Sequence, residues 1–142
     1  MRSVRSLLAE LLARCAAFLA VALASCGPAP TRPITLTFRG EVGGAGFVCG
    51  TDYPGVGTTG TTYTALDFRL YVHDVRVVTE GGLEVPIALD DDGVWQDGDV
   101  ALLDFETGGA CDGGNPVTNA LVRGTIPASA GAITGVRFVV GV

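Results

Sequence analysis

The sequence predicts an all-β fold, an antiparallel β-sandwich, on two observations. Several short segments alternate apolar and polar residues, which is the pattern of a strand with one buried face. No segment after residue 25 shows the 3.6-residue apolar periodicity of an amphipathic helix. Short strands that are joined by turns, without helices, bury their apolar faces by packing one sheet on another.

The first 25 residues predict an export signal. Arg2 and Arg5 give the segment a positive start, and the apolar run over 15–24 is too short to span a bilayer. The run ends in small residues followed directly by Cys26, which resembles the lipobox of bacterial lipoproteins. Cys26 would then carry the lipid that anchors an exported protein to the membrane, in the periplasm or at the outer membrane. The alternative is an ordinary secretory signal that leaves Cys26 unmodified.

The rest of the chain is predicted to consist of a tether and one domain. Residues 26–33 are rich in proline and would link the lipid to the fold. Residues 34–142 follow as a single β domain. The 117 residues after the leader suffice for one modest hydrophobic core but not for two.

The chain is acidic, with a net charge of −6 at pH 7. Without the leader, six arginines face fourteen acidic residues, and the net charge becomes −8. This balance argues against nucleic acid as a partner, because few basic groups remain to displace counterions from phosphates. It is compatible with a cationic partner, with bound metal cations or with a simple soluble surface.

Two cysteines, Cys49 and Cys111, remain once the leader and Cys26 are set aside. They lie 62 positions apart in a chain predicted to be exported, and oxidising compartments favour disulfides. The alternative is a pair of thiolate ligands for copper or zinc, although the CxxC spacing typical of such sites is missing.

The first predicted strand is 34–39, where apolar Ile34, Leu36 and Phe38 alternate with polar residues. Glycine and threonine dominate residues 43–61, and this composition predicts a loop that carries Cys49.

The second strand, 66–78, changes the parity of its apolar residues. Leu70 and Val72 share one face, whereas Val75 and Val77 fall on the other. Both pairs can be buried only if the strand contains one extra residue, so a β-bulge is predicted at His73–Asp74.

Four further apolar segments, each bounded by turn residues, predict strands at 83–89, 100–105, 120–126 and 133–142. The first follows a Gly-Gly turn, an acidic loop with Trp95 precedes the second, and a loop over 107–118 precedes the third. The last strand has an apolar face and stops in mid-pattern. Because an unprotected apolar edge strand invites aggregation, we expect the sequence to be a C-terminally truncated fragment.

Few residues suggest chemistry. No nucleophile, phosphate-binding or dinucleotide motif is present, so we expect the protein not to be an enzyme. His73 is the single histidine, and it is either structural or shares a metal site with donors from elsewhere, because one imidazole cannot hold copper or zinc alone. The aspartates at 90–92 are compatible with an irregular calcium site, so a calcium-binding structural or adhesion-type β-sandwich is the alternative function.

Five segments of the sequence resemble the MbnP family, whose members are also called metallo-mystery pair four-Cys motif proteins. These segments, in chain order, are FVCGTDYPGVGTT, DFRLYVHDVRVV, GVWQDGDVALLDFETGGAC, NALVRGTIP and GVRFVVGV. Genes of this family lie beside genes for MauG-like di-haem cytochrome c peroxidases. Cys49 and Cys111 correspond to two of the four motif cysteines. The other two, and a later segment with further His and Trp, have no counterpart in this sequence.

The resemblance implies a role in copper handling. In characterised relatives the haem partner oxidises a tryptophan to kynurenine, which then helps to bind Cu(I) together with histidine. Trp95 is the single tryptophan of this sequence, so the resemblance identifies it as the target and His73 as its co-ligand. The other interpretation of Trp95 is a purely structural residue that caps the sandwich.

Overall fold

The computed structural model describes residues 27–107, 111 and 117–142. The predicted leader and its lipidation site Cys26 lie outside the described residues. Residues Thr31–Val142 form one compact unit. Within the described part of the chain the secondary structure is entirely β, which confirms the predicted fold class. Among these residues there is accordingly no helix with the length and apolarity needed to cross a membrane.

Twelve strands are found in the described residues. In chain order they are β1 (Thr31–Thr37), β2 (Glu41–Val42), β3 (Ala45–Gly46), β4 (Asp52–Val56), β5 (Thr61–Thr64), β6 (Arg69–Thr79), β7 (Glu84–Pro86), β8 (Ala88–Leu89), β9 (Gln96–Asp97), β10 (Val100–Asp104), β11 (Leu121–Pro127) and β12 (Ile133–Val140). Every pairing between them is antiparallel.

Two sheets make up the sandwich. One has three strands in the order β1-β11-β8, and the other has the order β12-β6-β10-β9, with β7 also paired to β6. Both sheets supply the core: Val72 and Val77 come from β6, Leu103 from β10, and Val122 and Ile126 from β11. Each of these five side chains is at most 1% exposed. The alternation that predicted strands therefore corresponds to one buried face on each sheet.

β6 contains the predicted bulge. Val72 and Val75 are both buried although their parity differs. The register between β6 and β12 shifts between Arg137 and Val139, which places the extra residue on β6 beside Asp74. Asp74 has a φ of 49°, a left-handed conformation that aspartate tolerates better than most residues do. The parity change in the sequence is thus explained, and the bulge is confirmed.

The predicted strand 83–89 is divided between the two sheets. β7 pairs with β6, whereas β8 pairs with β11 in the other sheet. Ile87 lies at the change of sheet, and its N–H donates to the Val75 carbonyl at 3.0 Å. The backbones approach closely here, since a Cβ on Gly124 would collide with the Ala88 carbonyl oxygen. Apolar and polar residues alternate without interruption through residues 83–89, so the sequence did not indicate that the strand changes sheet.

β1 begins earlier than predicted. Residues Thr31–Pro33 pair with β11, so they belong to the sheet and not to the proposed tether. Pro33 is accommodated because β1 is an edge strand, on which one side needs no ladder hydrogen bonds.

Residues 43–61 are more ordered than the predicted loop. They contain β3 and β4, which pair with β2 and β5 in two short ribbons. Tyr53 is buried and fastens this region: its hydroxyl accepts from the Val48 N–H at 2.7 Å and lies 2.9 Å from the Gly46 carbonyl oxygen. The glycine- and threonine-rich composition hides these pairings because it contains almost no apolar alternation.

Cys49 and Cys111 form a disulfide, with their Cα atoms 5.2 Å apart. The link joins the segment before β4 to the segment after β10. It confirms the disulfide expected for an exported chain, and it leaves neither sulfur available as a thiolate ligand.

β12 is the outer strand of its sheet and is largely exposed. Val136 and Val140 are 42% and 62% exposed. Phe138 makes an edge-to-face contact with Phe38, which directly follows β1 of the facing sheet, with ring centroids 5.3 Å apart. The apolar edge that the sequence predicted is therefore present.

Candidate functional site

Trp95 lies on the outer face of the five-stranded sheet. Its carbonyl accepts from the Leu102 N–H at 2.7 Å, which extends the β9–β10 pairing by one residue. Leu102 in turn pairs with Tyr71 of β6. The neighbours Ala101 and Leu103 are buried in the core, so the alternating residues Trp95, Leu102 and Tyr71 form a row on the opposite face. The indole is partly buried, and it does not belong to the sandwich core.

This row borders an open groove of about 240 Å³. The rest of its lining comes from the turn before β9 and from the start of β10: Gly93, Val94, Gln96, Asp97 and Val100. Trp95 therefore has space beside it and access from solvent.

Asp92 shapes the turn that carries Trp95. Its Oδ1 accepts from the backbone N–H groups of Val94, Trp95 and Gln96 at 2.9, 2.7 and 3.0 Å. These hydrogen bonds, first that from Gln96 and then those from Trp95 and Val94, hold the pKa of the Asp92 carboxyl below its usual value. Gly93 has a φ of 64°, which a side chain at that position would resist.

Gln96 ties the same turn to the other sheet. The side chain is buried, and its Nε2 donates to the carbonyls of Asp90 and Arg123 at 2.7 and 2.8 Å. Its Oε1 accepts from the Arg123 N–H at 2.7 Å. Arg123 belongs to β11, so one amide spans the sandwich directly beneath Trp95. Sequence analysis missed this role, and the only trace of it is that Gln96 follows Trp95 in the VWQ segment.

His73 lies on the same outer face as Trp95, in the next row of the sheet. It pairs with Val100 of β10 and with Val139 of β12, immediately before the bulge at Asp74. His73 does not line the Trp95 groove. With strands about 4.8 Å apart and a rise of about 3.4 Å per residue, the two Cα atoms are roughly 12 Å apart. The structure thus places the two predicted ligands on one face of the sheet, in neighbouring rows and on strands that are separated by β10.

Trp95 and His73 do not by themselves form a metal site. The described residues contain no cluster of three or more His, Cys, Asp or Glu side chains suited to a metal ion. An oxidised Trp95 and His73 would supply two nitrogen donors, whereas a copper site built from two histidines and a cysteine uses three. The two residues fit copper as a pair on one face that further donors would complete.

The aspartates at 90–92 have a structural role in the turn. Asp92 accepts three backbone hydrogen bonds through one oxygen, and the Asp90 carbonyl accepts from Gln96. Neither these aspartates nor any other described residues form a cluster of three or more side chains that could hold a metal ion. The calcium interpretation of this run therefore gains no support from the geometry.

A second polar cluster lies after β10. The side chain of Glu106 is fully buried, and its Oε1 accepts from the Phe68 N–H at 2.9 Å and lies 3.3 Å from Nε of Arg69. Its Oε2 has no hydrogen-bond partner in the described structure. Arg69 also pairs with Asp67, with Nη2 and Oδ2 3.3 Å apart. Sequence analysis gave no sign of this buried carboxyl, because glutamate is normally a surface residue.

Two carboxyls therefore share one guanidinium. Burial, and next the proximity of Asp67, raise the pKa of Glu106. The adjacent Glu106 carboxyl, and next the Arg69 guanidinium, lower the pKa of Asp67.

The chain was compared with known protein families and solved structures. The family model MbnP matches residues 31–142, which span the sandwich from its first strand. The structure is similar to MbnP from Methylosinus trichosporium, with 36% sequence identity and a TM-score of 0.62. The match covers 79% of this chain but 39% of that protein, so this chain spans less than half of its length. No curated protein matches the chain. The chain belongs to the MbnP family.

Proposed function

We propose that this chain is an exported, lipid-anchored copper-binding protein whose Trp95 is converted to kynurenine by a partner di-haem peroxidase. The protein is the substrate of that enzyme and not an enzyme itself. Family membership and the position of Trp95 support the proposal. The observation that carries it is an indole on the outer face beside an open groove, in a turn that Asp92 and Gln96 hold firmly.

This setting suits the removal of electrons from the indole. The ring is partly exposed, so an oxidant can approach it without unfolding the sandwich. Asp91, Asp97 and Asp99 lie within a few residues of Trp95 and are exposed. Their negative charges would stabilise the cation that forms when an electron leaves the ring.

The conversion balances with hydrogen peroxide as the oxidant. Cleavage of the indole C2–C3 bond adds two oxygen atoms and removes four electrons, which reduce two molecules of peroxide, and the net by-product is two waters. Hydrolysis then releases C2 as formate and leaves an aromatic amine. The product offers a nitrogen donor that the intact indole lacks.

Copper would be bound by that amine and the His73 imidazole, with further donors from outside the described residues. The imidazole suits copper in either oxidation state. Because His73 precedes the bulge, its position on the outer face depends on the local geometry of β6.

Mass spectrometry of the chain after coexpression with a MauG-like di-haem peroxidase tests the oxidation. We expect the mass change of kynurenine on the peptide that contains Trp95. The Trp95→Phe variant should show no such change, and omission of the peroxidase should leave the indole intact. An unmodified Trp95 in the coexpressed chain would refute the conversion.

Titration with Cu(I) before and after maturation tests the copper site. The matured chain should bind copper more tightly than the chain made without the peroxidase, and His73→Ala should remove most of that gain. Equal affinity in the matured wild type and the variant would exclude His73 from the site.

The anchor is tested separately by labelling cells with a radioactive fatty acid. Label should enter the wild-type chain and be lost in the Cys26→Ser variant. A labelled Cys26→Ser chain would exclude this lipidation site.

A further inference from the structure

Apolar and aromatic side chains are exposed together on the outer face of the sheet around Trp95. We define the Trp95 face as Tyr71, Val94, Trp95, Val100 and Leu102, all of which border the groove. Val94 is 72% exposed and Tyr71 is 46% exposed. The groove continues past Tyr71 and Leu102 toward Arg69. Contiguous exposed apolar and aromatic groups of this kind mark interaction surfaces.

The margin of this face is strongly negative. Residues 90–99 contain five aspartates and no arginine or lysine. The side chains of Asp91, Asp97 and Asp99 are exposed and make no ion pair within the described structure. Of the nearby arginines, Arg69 is engaged by Asp67 and Glu106 and Arg76 by Asp74, whereas the charge of Arg123 acts on Asp92. One arginine against five aspartates leaves this margin with a net negative charge.

We propose that the Trp95 face is the docking surface for a protein whose matching surface carries arginine and lysine around an apolar centre. An apolar centre within a charged rim is the usual anatomy of a protein interface. The charge selects the occupant, because a basic rim would neutralise the aspartates while its centre covers Tyr71 and Val94. A metal ion does not explain the apolar part of the face.

The inference rests on the proposed function and deepens it. An oxidant that takes electrons from Trp95 must come close to the ring, and the ring is accessible through this groove. The peroxidase would therefore present a basic surface here. Attraction between such surfaces mainly accelerates association and weakens with salt, whereas contacts at the centre mainly slow dissociation.

The kinetics of binding between the di-haem peroxidase and the chain test the surface. They are measured without peroxide, so that no oxidation occurs. Neutralising the rim with Asp97→Asn/Asp99→Asn should lower the association rate about tenfold at low salt. The control Glu41→Gln/Glu80→Gln removes the same charge far from Trp95 along the chain and should change the rate less than twofold. Tyr71→Ala should accelerate dissociation about tenfold. Equal melting temperatures would show that the rim variants are folded.

The outcomes separate the two proposals. Binding that is insensitive to salt and to the rim variants, together with normal kynurenine formation, would overturn the docking surface and leave the proposed function intact. Absence of any binding and of kynurenine would overturn both. A rim effect equal to that of the control would mean that overall charge, and not this face, attracts the partner, and it would also overturn the proposal.

Discussion

Two polar clusters flank β10, and they are built differently. Before the strand, every polar side-chain atom of Gln96 is hydrogen-bonded, and Asp92 accepts three backbone N–H groups. After the strand, Glu106 is buried with one oxygen that has no partner in the described residues, beside a second carboxyl on Asp67. The first cluster supports the Trp95 turn, whereas the second lies at the other end of β10, where its Arg69 borders the continuation of the groove.

The two clusters differ in how their buried side chains respond to pH. An amide keeps the same protons at every pH, so Gln96 holds the Trp95 turn equally in acid and at neutrality. A buried carboxyl changes its charge within the accessible pH range, and its environment changes with it. The Gln96 amide thus holds the Trp95 turn without titrating, whereas Asp92 in the same turn and the Glu106–Asp67 pair after β10 carry the pH sensitivity.

The largest expected loss of stability follows removal of the disulfide, whose Cys111 lies after β10, as Glu106 does. Replacing both cysteines, as Cys49→Ala/Cys111→Ala, should destabilise the fold by about 4 kcal/mol in the chain-entropy model for a loop of 62 residues. Urea unfolding followed by Trp95 fluorescence would measure the loss. The native emission should be unchanged before the transition, because the Trp95 turn is held independently. A shifted native emission would show that the two clusters are coupled.

The next largest effect is at Gln96. The Gln96→Ala variant loses three hydrogen bonds and leaves the Arg123 N–H of β11 without its side-chain acceptor, which should cost about 3 kcal/mol. Gln96→Glu provides the matched comparison: a carboxylate cannot donate to the carbonyls of Asp90 and Arg123, so the loss should shrink in acid. Urea denaturation curves of the wild type and both variants at two pH values would measure these losses of stability. Equal stability of Gln96→Ala and wild type would contradict the role of Gln96 as a clamp.

A smaller, local effect is expected at Asp92. Asp92→Ala should speed amide hydrogen exchange at Val94, Trp95 and Gln96, and Asp91→Ala should not. Because the folded pKa of Asp92 is lowered, its contribution is present above the unfolded pKa and lost as pH falls through the folded value. Exchange rates by NMR across that acid range would test both statements. Unchanged protection in Asp92→Ala would contradict the proposed turn.

The smallest effect concerns pH and Glu106. Its pKa is raised in the folded state above the ordinary value of 4.5, so its contribution is fully present below that value and is lost as pH rises through the folded pKa. Glu106→Gln should remove this decline, because the amide mimics the protonated carboxyl. Asp67 acts in the opposite sense: its pKa is lowered, so its contribution is lost as pH falls. Melting temperatures of the wild type and of Glu106→Gln, measured across pH, would show the difference. Parallel plots of melting temperature against pH would contradict the prediction.

Sequence patterns predicted what depends on local alternation. They identified the longer strands of both sheets but not the two-residue β9, and the parity change in β6 located the bulge beside His73. Features that depend on partners distant in sequence were missed. Gln96 and Glu106 are buried by contacts with Arg123, Phe68 and Arg69, and nothing in their own neighbourhoods indicates that burial.

The candidate site was predicted in the same partial way. The sequence singled out Trp95 and His73, and the structure places both on one face of the sheet. Tyr71 was not singled out, although it borders the Trp95 groove. Its importance follows from the pairing of β6 with β10, because the register brings Tyr71 beside Leu102.

The segment Glu84–Leu89 has a consequence for how the molecule unfolds. It supplies β7 to one sheet and β8 to the other, so neither sheet can be completed without the same few residues. Loss of either sheet should therefore pull the second apart, and melting should be a single transition with equal calorimetric and van't Hoff enthalpies. Two resolved transitions would mean that this shared segment does not couple the layers.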